Sequence, residues 1–295
     1  MAMKSLRKIV ESLRVPPGKT VKLARQDTAW TAGINPKASR KLLEEGIESL
    51  AELQNRLYAQ NTYSVLIIFQ AMDAAGKDST IRHVMSGVNP QGCQVFSFKA
   101  PSAEERDHTY LWRSMKALPE RGRIGIHNRS YYEEVLIARV HPEILAGQQL
   151  PPKVKENPKI WQERFTQIAN FERYLTQNGM VILKFFLHVS KEEQRRRFLS
   201  RIDDPGKNWK FSMGDLSERP LWDQYMRAYE DAIGNTSTVD APWFIVPADN
   251  KWFMRLAVAA AIVQTLEALN LKYPEVAGAK RLELEDARRE LMAEK

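Results

Sequence analysis

Apolar and polar positions along the chain predict helices that alternate with short, buried strands. Between positions 36 and 60, leucine and isoleucine recur at helical spacing with charged residues between them. Residues 63–69 form a short run that is apolar apart from Ser64 and rich in β-branched residues, which is typical of a strand buried on both faces. This alternation favours right-handed crossovers and a mostly parallel sheet covered by helices, so ligands are expected beyond the carboxyl ends of the strands.

The same pattern divides the rest of the chain. Further strands are predicted at 94–98, 123–127, 180–189 and 243–246, and further helices at 102–118, from 130, and at 159–178, 191–202, 222–235 and 252–271. We interpret residues 1–35, which mix basic residues with Pro and Gly, as an extended N-terminal arm on the surface. Residues 36–275 are expected to form one α/β domain with a lid at about 195–220, and residues 276–295 a charged C-terminal tail.

Composition indicates a globular protein without a membrane span and with an anionic binding partner. With 295 residues, 43% of them hydrophobic, the chain supports a well-buried core. Neither a signal peptide nor a membrane span is indicated, and the single cysteine, Cys93, favours a reducing cytoplasm. The net charge of +8 favours a polyanionic partner, either nucleic acid, an anionic membrane or a phosphate-rich substrate.

Residues 70–80, Gln-Ala-Met-Asp-Ala-Ala-Gly-Lys-Asp-Ser-Thr, lie between the first strand and a helix, as a Walker A phosphate loop does. Gly76 allows a close approach of the backbone to phosphate oxygens, and Lys77 reaches the outer phosphates. Two positions depart from the motif: Ala71 replaces the first Gly, and Asp78 replaces the metal-binding Ser or Thr. An ordinary strand-to-helix turn is the alternative, but a lysine at a helix N-terminus opposes the dipole and indicates an anion.

Asp73 is the unusual member of this loop. A carboxylate inside a phosphate cradle repels its ligand unless it binds magnesium or orients the phosphate acceptor. A local turn hydrogen bond is the alternative. The phosphate-binding positions of the loop and its helix are predicted to be Ala74, Ala75, Gly76, Asp78 and Ser79.

A second cluster follows the strand at 123–127. Asn128 is neutral where a Walker B strand places a magnesium-binding Asp, so the metal is expected on Asp73 and Glu133. Arg129 is expected to point into the crevice and to stabilise a transferring phosphoryl group. Pairing of Arg129 with Glu133 or Glu134 is the alternative, and both can hold in a resting enzyme.

Residues 191–201 form a very basic predicted helix. Arg197 and Arg201 are four apart and share a helix face, and the following loop carries Lys207 and Lys210. A solvated surface explains such a charge run by itself. Next to a phosphate loop, a lid that closes over phosphates is favoured.

Taken together, these segments resemble the polyphosphate kinase 2 family. The resemblance rests on residues 71–77 (AMDAAGK), 88–92 (VNPQG), 128–133 (NRSYYE), 187–194 (LHVSKEEQ), 204–211 (DPGKNWKF) and 241–247 (APWFIVP). These motifs occur in the family's order and span roughly residues 40–272, which is more specific than any one of them.

The resemblance implies a thymidylate-kinase-like P-loop kinase fold, a three-layer α/β sandwich with a helical lid. It implies Mg²⁺-dependent phosphoryl transfer between inorganic polyphosphate and adenine nucleotides, with Mn²⁺ as an alternative metal and guanine nucleotides as alternative substrates. By position, Asp73, Lys77 and Arg129 are the catalytic residues, and the list of nucleotide- and phosphate-binding residues extends to Asn128, Arg197, Arg201 and Lys210. Asn128 and Glu133 resemble the subgroup that phosphorylates both mono- and diphosphates (class III), so AMP to ADP to ATP is the expected path. A homo-oligomer, dimer or tetramer, is expected, with neither membrane nor nucleic acid as partner.

Two other functions remain open. An ATP-dependent nucleoside monophosphate kinase shares the fold, but it would usually keep the first Gly and a Ser or Thr after the lysine. A non-catalytic nucleic-acid-binding protein would use the basic surface alone, and salt-sensitive binding without phosphoryl transfer would identify it.

Overall fold

The computed structural model describes residues 6–294, which are built around a five-stranded parallel sheet in the order β2-β3-β1-β4-β5. The strands are β1 Ser64–Gln70, β2 Cys93–Ser97, β3 Ile124–Asn128, β4 Met180–His188 and β5 Trp243–Pro247. Strand β1 is central and pairs with β3 on one side and β4 on the other. All of its residues are buried, as its continuous apolar run predicts. The predicted α/β class is confirmed.

Helices cover both faces of this sheet. They are α1 Arg7–Leu13, α2 Pro36–Gln60, α3 Lys77–Val84, α4 Ala103–Arg106, α5 Trp112–Lys116, α6 Ile137–Val140, α7 Pro142–Ala146, α8 Pro152–Lys155, α9 Ile160–Gln177, α10 Lys191–Asp203, α11 Met213–Ser217, α12 Trp222–Thr236, α13 Lys251–Ala268 and α14 Ala279–Ala293. α2 and α3 pack against α13, and α9 packs against α12, which gives the outer layers of a three-layer sandwich. Within residues 6–294, no helix combines the length and apolar character needed to cross a bilayer.

Helix α2 shows why local pattern predicted its bounds. The side chain of Asn35 accepts a hydrogen bond from the N–H of Ala38, and Pro36 occupies the first helical position. The helix ends where Asn61 adopts a left-handed φ of 52°.

Two predicted helices differ in the structure. The segment 102–118 is broken into α4 and α5. Ser102 and Glu105 form a capping box that starts α4, and the ring of His108, between the two helices, stacks on Trp112 at 3.9 Å. The helix predicted from 130 is a 3₁₀ turn, Tyr131–Val135. There the side chain of Ser130 accepts from the N–H of Tyr132 and replaces a helical contact.

The N-terminal segment also differs from the extended surface arm that we expected, over residues 6–35. Leu6, Val10 and Leu13 are buried, at the helical spacing of α1. The N–H of Val15 donates to the carbonyl of Trp243 at 2.8 Å, so the segment also covers the outer edge of β5. Residues 1–5 of the predicted arm lie outside the described part. At the other end, α14 buries no residue, in keeping with a solvated, charged tail.

Candidate functional site

The loop between β1 and α3 takes the form of a phosphate cradle. Gly76 is the N-cap of α3 with a φ of 111°, and a Cβ at this position would lie 3.3 Å from Cε of Met254. Ala74 is also left-handed, with a φ of 59°, which is uncommon for a residue other than glycine. The first amides of α3 have no acceptor in their own helix and, with the helix dipole, form a site for an anion.

Lys77 is the first residue of α3, and its side chain folds back onto this loop. Its Nζ donates to the carbonyl of Ala71 at 3.1 Å. Burial lowers the pKa of Lys77, and the negative charge of Asp73 opposes this shift. Bound phosphate would supply the compensating charge that this partly buried ammonium requires.

Arg129 meets the loop from the neighbouring strand. It follows β3 with a left-handed φ of 64°, and its Nη2 donates to Oδ1 of Asp73 at 2.8 Å. Burial by itself would lower the pKa of Arg129, but the carboxylates of Glu133 and Asp73 outweigh burial and raise it. The structure thus brings the three residues predicted to be catalytic, Asp73, Lys77 and Arg129, to one end of the sheet.

Glu133 is held in place by a residue that sequence reasoning missed. Nε2 of Gln70, the fully buried last residue of β1, donates to Oε1 of Glu133 at 2.7 Å. The one sign of Gln70 in the sequence is a polar side chain that ends the apolar run 65–69.

The two predicted metal ligands, both carboxylates, have the donor chemistry that Mg²⁺ prefers. The hydrogen bond from Arg129 uses Oδ1 of Asp73, and the one from Gln70 uses Oε1 of Glu133. Among residues 6–294, no three His, Cys, Asp or Glu side chains form a metal cluster. Mg²⁺ is usually bound by one or two carboxylates together with phosphate oxygens and water, so a two-carboxylate donor set is suitable.

Asp215 is a third carboxylate near this centre, and no motif identified it. It lies on α11 in the lid, and burial and the charge of Asp73 raise its pKa, against the opposing charges of Arg201 and Arg129. The lid therefore brings negative as well as positive charge toward the phosphate loop.

The other residues predicted to bind phosphate lie in or beside the loop and contact one another or the backbone. Oγ of Ser79 donates to the carbonyl of Gly76 at 3.1 Å, and Ala75 is fully buried. Asn128, the last residue of β3, donates to Asp78.

Arg197 and Arg201, predicted to share a helix face, have different environments. The buried guanidinium of Arg197 donates to the carbonyls of Ala74 and Ala75 at 3.1 and 2.6 Å, and to that of Ala248 at 2.6 Å. Burial lowers its pKa, and its hydrogen bond to Glu193 opposes this. Its donors thus bind Glu193 and backbone carbonyls of the phosphate loop and of Ala248, rather than pointing into the open crevice.

The other two lid cations lie further out. Nη1 of Arg201 is 3.4 Å from Oδ2 of Asp215, and its guanidinium lies over the ring of Phe198. Lys210 is exposed, with Nζ 4.9 Å from the ring centre of Trp209. Both side chains lie in the segment 195–220 that the sequence predicts to be a lid.

Comparison with known proteins agrees with this geometry. The chain is 52% identical over 287 residues, 96% of its length and 98% of the relative's, to an ADP-polyphosphate phosphotransferase of Rhodopseudomonas palustris. It is 44% identical over 268 residues, 90% of its length and 96% of the relative's, to an AMP/ADP-polyphosphate phosphotransferase of Meiothermus ruber. The crystal structure of polyphosphate kinase 2 from Arthrobacter aurescens superposes with a TM-score of 0.86 at 40% identity, covering 97% of this chain and 96% of that one.

The sequence profile of the family described as polyphosphate kinase 2 matches residues 34–274. The resemblance inferred from the motifs and the P-loop kinase fold are confirmed, and the chain belongs to the polyphosphate kinase 2 family.

Proposed function

We propose that the protein transfers the terminal phosphoryl group of inorganic polyphosphate to AMP and ADP, reversibly and with Mg²⁺, giving ADP and ATP. The observation that carries this proposal is the 2.8 Å contact between Arg129 and Asp73 beside Lys77, in a chain similar over nearly its full length to enzymes named for this chemistry. The test is turnover with polyphosphate and no ATP, measured separately with AMP, ADP and GDP. If none of the three nucleotides gave a phosphorylated product, the proposal would be overturned.

In this mechanism the chain supplies position and charge. The amides of the loop and Lys77 bind the phosphate groups, and Arg129 stabilises the charge that spreads over the transferring group. Asp73 orients the acceptor oxygen. A bound Mg²⁺ would neutralise phosphate charge between donor and acceptor, with Asp73 and Glu133 as its protein ligands. Replacing Asp73 by Asn should nearly abolish turnover in a folded protein, and near-normal turnover would remove the role given to it.

We assign the protein to the subgroup that accepts both mono- and diphosphates. Asn128 and Glu133 support this assignment, as does the name of the Meiothermus ruber relative. Comparable values of kcat/KM for AMP and ADP are expected, whereas turnover of ADP alone would restrict the substrate to diphosphates.

The ATP-dependent monophosphate kinase is the second candidate, because it shares the fold. Phosphorylation of AMP by ATP, but not by polyphosphate, would favour it. A non-catalytic nucleic-acid-binding role is the least favoured hypothesis, because the contacts described at the site are explained by phosphoryl transfer.

We further propose a cytoplasmic homo-oligomer, dimer or tetramer. The most apolar helix, α13, is buried in the core, so its apolar face is not available for an interface between subunits. The mass in solution, measured by light scattering, tests this expectation.

A further inference from the structure

Gln194 belongs to one of the family motifs, yet the reaction described above gives it no role. It lies on α10 and is only 2% exposed. Both ends of its amide are engaged: Nε2 donates to the backbone carbonyl of Asp73 at 2.9 Å, and Oε1 accepts from Nη1 of Arg219 at 2.5 Å. A buried amide satisfied on both sides specifies one arrangement of the groups that it joins.

On one side, this amide helps to orient the phosphate loop. Three successive loop carbonyls, those of Asp73, Ala74 and Ala75, accept hydrogen bonds from α10, the first from Gln194 and the others from Arg197. In a trans peptide the N–H points opposite to the C=O. Fixing these carbonyls on α10 therefore directs the N–H groups that follow Asp73 and Ala75 away from α10, as a phosphate cradle requires.

On its other side, the amide reaches the end of the lid. Arg219 begins the 3₁₀ turn Arg219–Leu221, which leads from α11 into α12. Its Nη1 also donates to the carbonyl of Lys191 at 3.2 Å, at the start of α10. Arg219 thus ties the point where the lid returns to the core to the helix that holds the phosphate loop.

We propose that Gln194 is a positioning residue that couples the lid to the backbone of Asp73, so that the cradle is correctly formed when the lid is in place. This inference rests on the proposed function, because Asp73 and its loop are the groups that it positions. Packing of α10 against the core is the competing explanation. It predicts a loss of stability without a loss of turnover in the molecules that remain folded.

The experiment compares Gln194→Met, Arg219→Gln and the double variant with the wild type. Gln194→Met keeps the length of the side chain and removes both hydrogen bonds. The matched control is Arg195→Gln, which alters the neighbouring exposed position of the same helix. Activity is measured with AMP and polyphosphate well below the thermal midpoint of each variant. Turnover by the wild type tests the proposed function. The ratio of the kcat of each variant to that of the wild type tests this inference.

We expect kcat of Gln194→Met to fall about tenfold, since a misplaced catalytic group loses rate even when the substrate binds. The effects of Gln194→Met and Arg219→Gln should be non-additive, because both break one chain of contacts. Amide hydrogen exchange of residues 71–78 should be faster in Gln194→Met and unchanged in Arg195→Gln, and this readout does not depend on turnover. Wild-type kcat with unchanged exchange in Gln194→Met, or full additivity with Arg219→Gln, would overturn the coupling.

Discussion

Asn128, at the end of β3, donates a hydrogen bond from Nδ2 to Oδ1 of Asp78 in the first turn of α3, at 2.7 Å. These are two of the positions at which the chain departs from the Walker motifs. Asp78 replaces a hydroxyl, and Asn128 replaces a carboxylate. The hydroxyl–carboxylate arrangement of an ordinary P-loop site is here a carboxylate–amide pair, so the two departures compensate for each other.

This pairing predicts the effect of restoring the usual strand-end carboxylate. Asn128→Asp places two negative charges in contact, and because Asp78 is exposed the repulsion is screened to about 1 kcal/mol. We expect kcat/KM for ADP to fall about fivefold in Asn128→Asp and to recover in Asp78→Asn/Asn128→Asp, where the hydrogen bond can form in reverse. Steady-state kinetics of the three variants decide the point. If Asn128→Asp kept the wild-type kcat/KM, the contact between Asn128 and Asp78 would not contribute to catalysis.

Arg129 is predicted to act on the charge of the transferring group. Arg129→Lys keeps the charge but loses the planar fork that binds Asp73, and we expect kcat to fall about a hundredfold. The control is Arg123→Gln, which removes a half-buried arginine paired with Glu120 just before the start of the same strand. A loss below threefold in Arg129→Lys would assign Arg129 to pairing with carboxylates alone.

The sequence predicted the parts of the fold that local pattern determines. The strand before the phosphate loop reads as buried because it is continuously apolar, and α2 has both of its end signals in adjacent residues. The segment 102–118 has helical composition, but it is interrupted between α4 and α5, where the ring of His108 stacks on Trp112. Such a contact depends on how two side chains are oriented and is not visible in the spacing of apolar residues.

The same distinction applies to the site. Asp73, Lys77 and Arg129 were identified because each stands in a motif at the end of a strand. Gln70 and Gln194 act through partners 63 and 121 residues away in the chain, so no local pattern reveals what they bind. Helical spacing predicts that Arg197 and Arg201 share a helix face. It does not show that Arg197 binds carbonyls of the phosphate loop whereas Arg201 lies near Asp215.

A buried ion pair behind the site yields a prediction about stability. Nζ of Lys184 on β4 lies 2.5 Å from Oε2 of Glu172 on α9, and the two side chains are 0% and 1% exposed. The hydroxyls of Tyr131 and Tyr132 both donate to Oε1 of the same carboxylate at 2.8 Å. Burial lowers the pKa of Lys184, and Glu172 opposes that shift, so the ammonium depends on its partner.

Glu172→Gln leaves the buried ammonium without a counter-charge and should lower the free energy of unfolding by about 3 kcal/mol. Glu163→Gln, near the start of the same helix at an exposed position, is the matched control and should change it by less than 0.5 kcal/mol, as surface substitutions usually do. Urea denaturation of both variants measures the difference. Equal midpoints would show that the amide serves the lysine and both tyrosines as well as the carboxylate does.

His141 predicts a pH dependence at the end of the lid. Its Nε2 lies 2.9 Å from Oε2 of Glu218 and its Nδ1 3.0 Å from Oε1 of Glu143, and Glu218 also accepts from the hydroxyl of Tyr225 at 2.6 Å. The hydrogen bond to Glu218, with that to Glu143, raises the pKa of His141 against the effect of burial. The folded protein therefore holds this proton more tightly than the unfolded chain does.

The stabilisation from a charged His141 is consequently complete below the unfolded pKa of about 6.5 and is lost as pH rises through the higher folded-state pKa. His141→Gln should lower the thermal midpoint relative to wild type at acidic pH, and the gap should narrow toward pH 8.5. Glu143→Gln removes one of the two partners and should give a smaller dependence of the same sign. Thermal unfolding at half-unit steps from pH 5.5 to 8.5 measures this. A gap that stays constant across the range, or widens with pH, would mean that the imidazole is neutral between its two carboxylates and that Glu218 holds the end of the lid through Tyr225 instead.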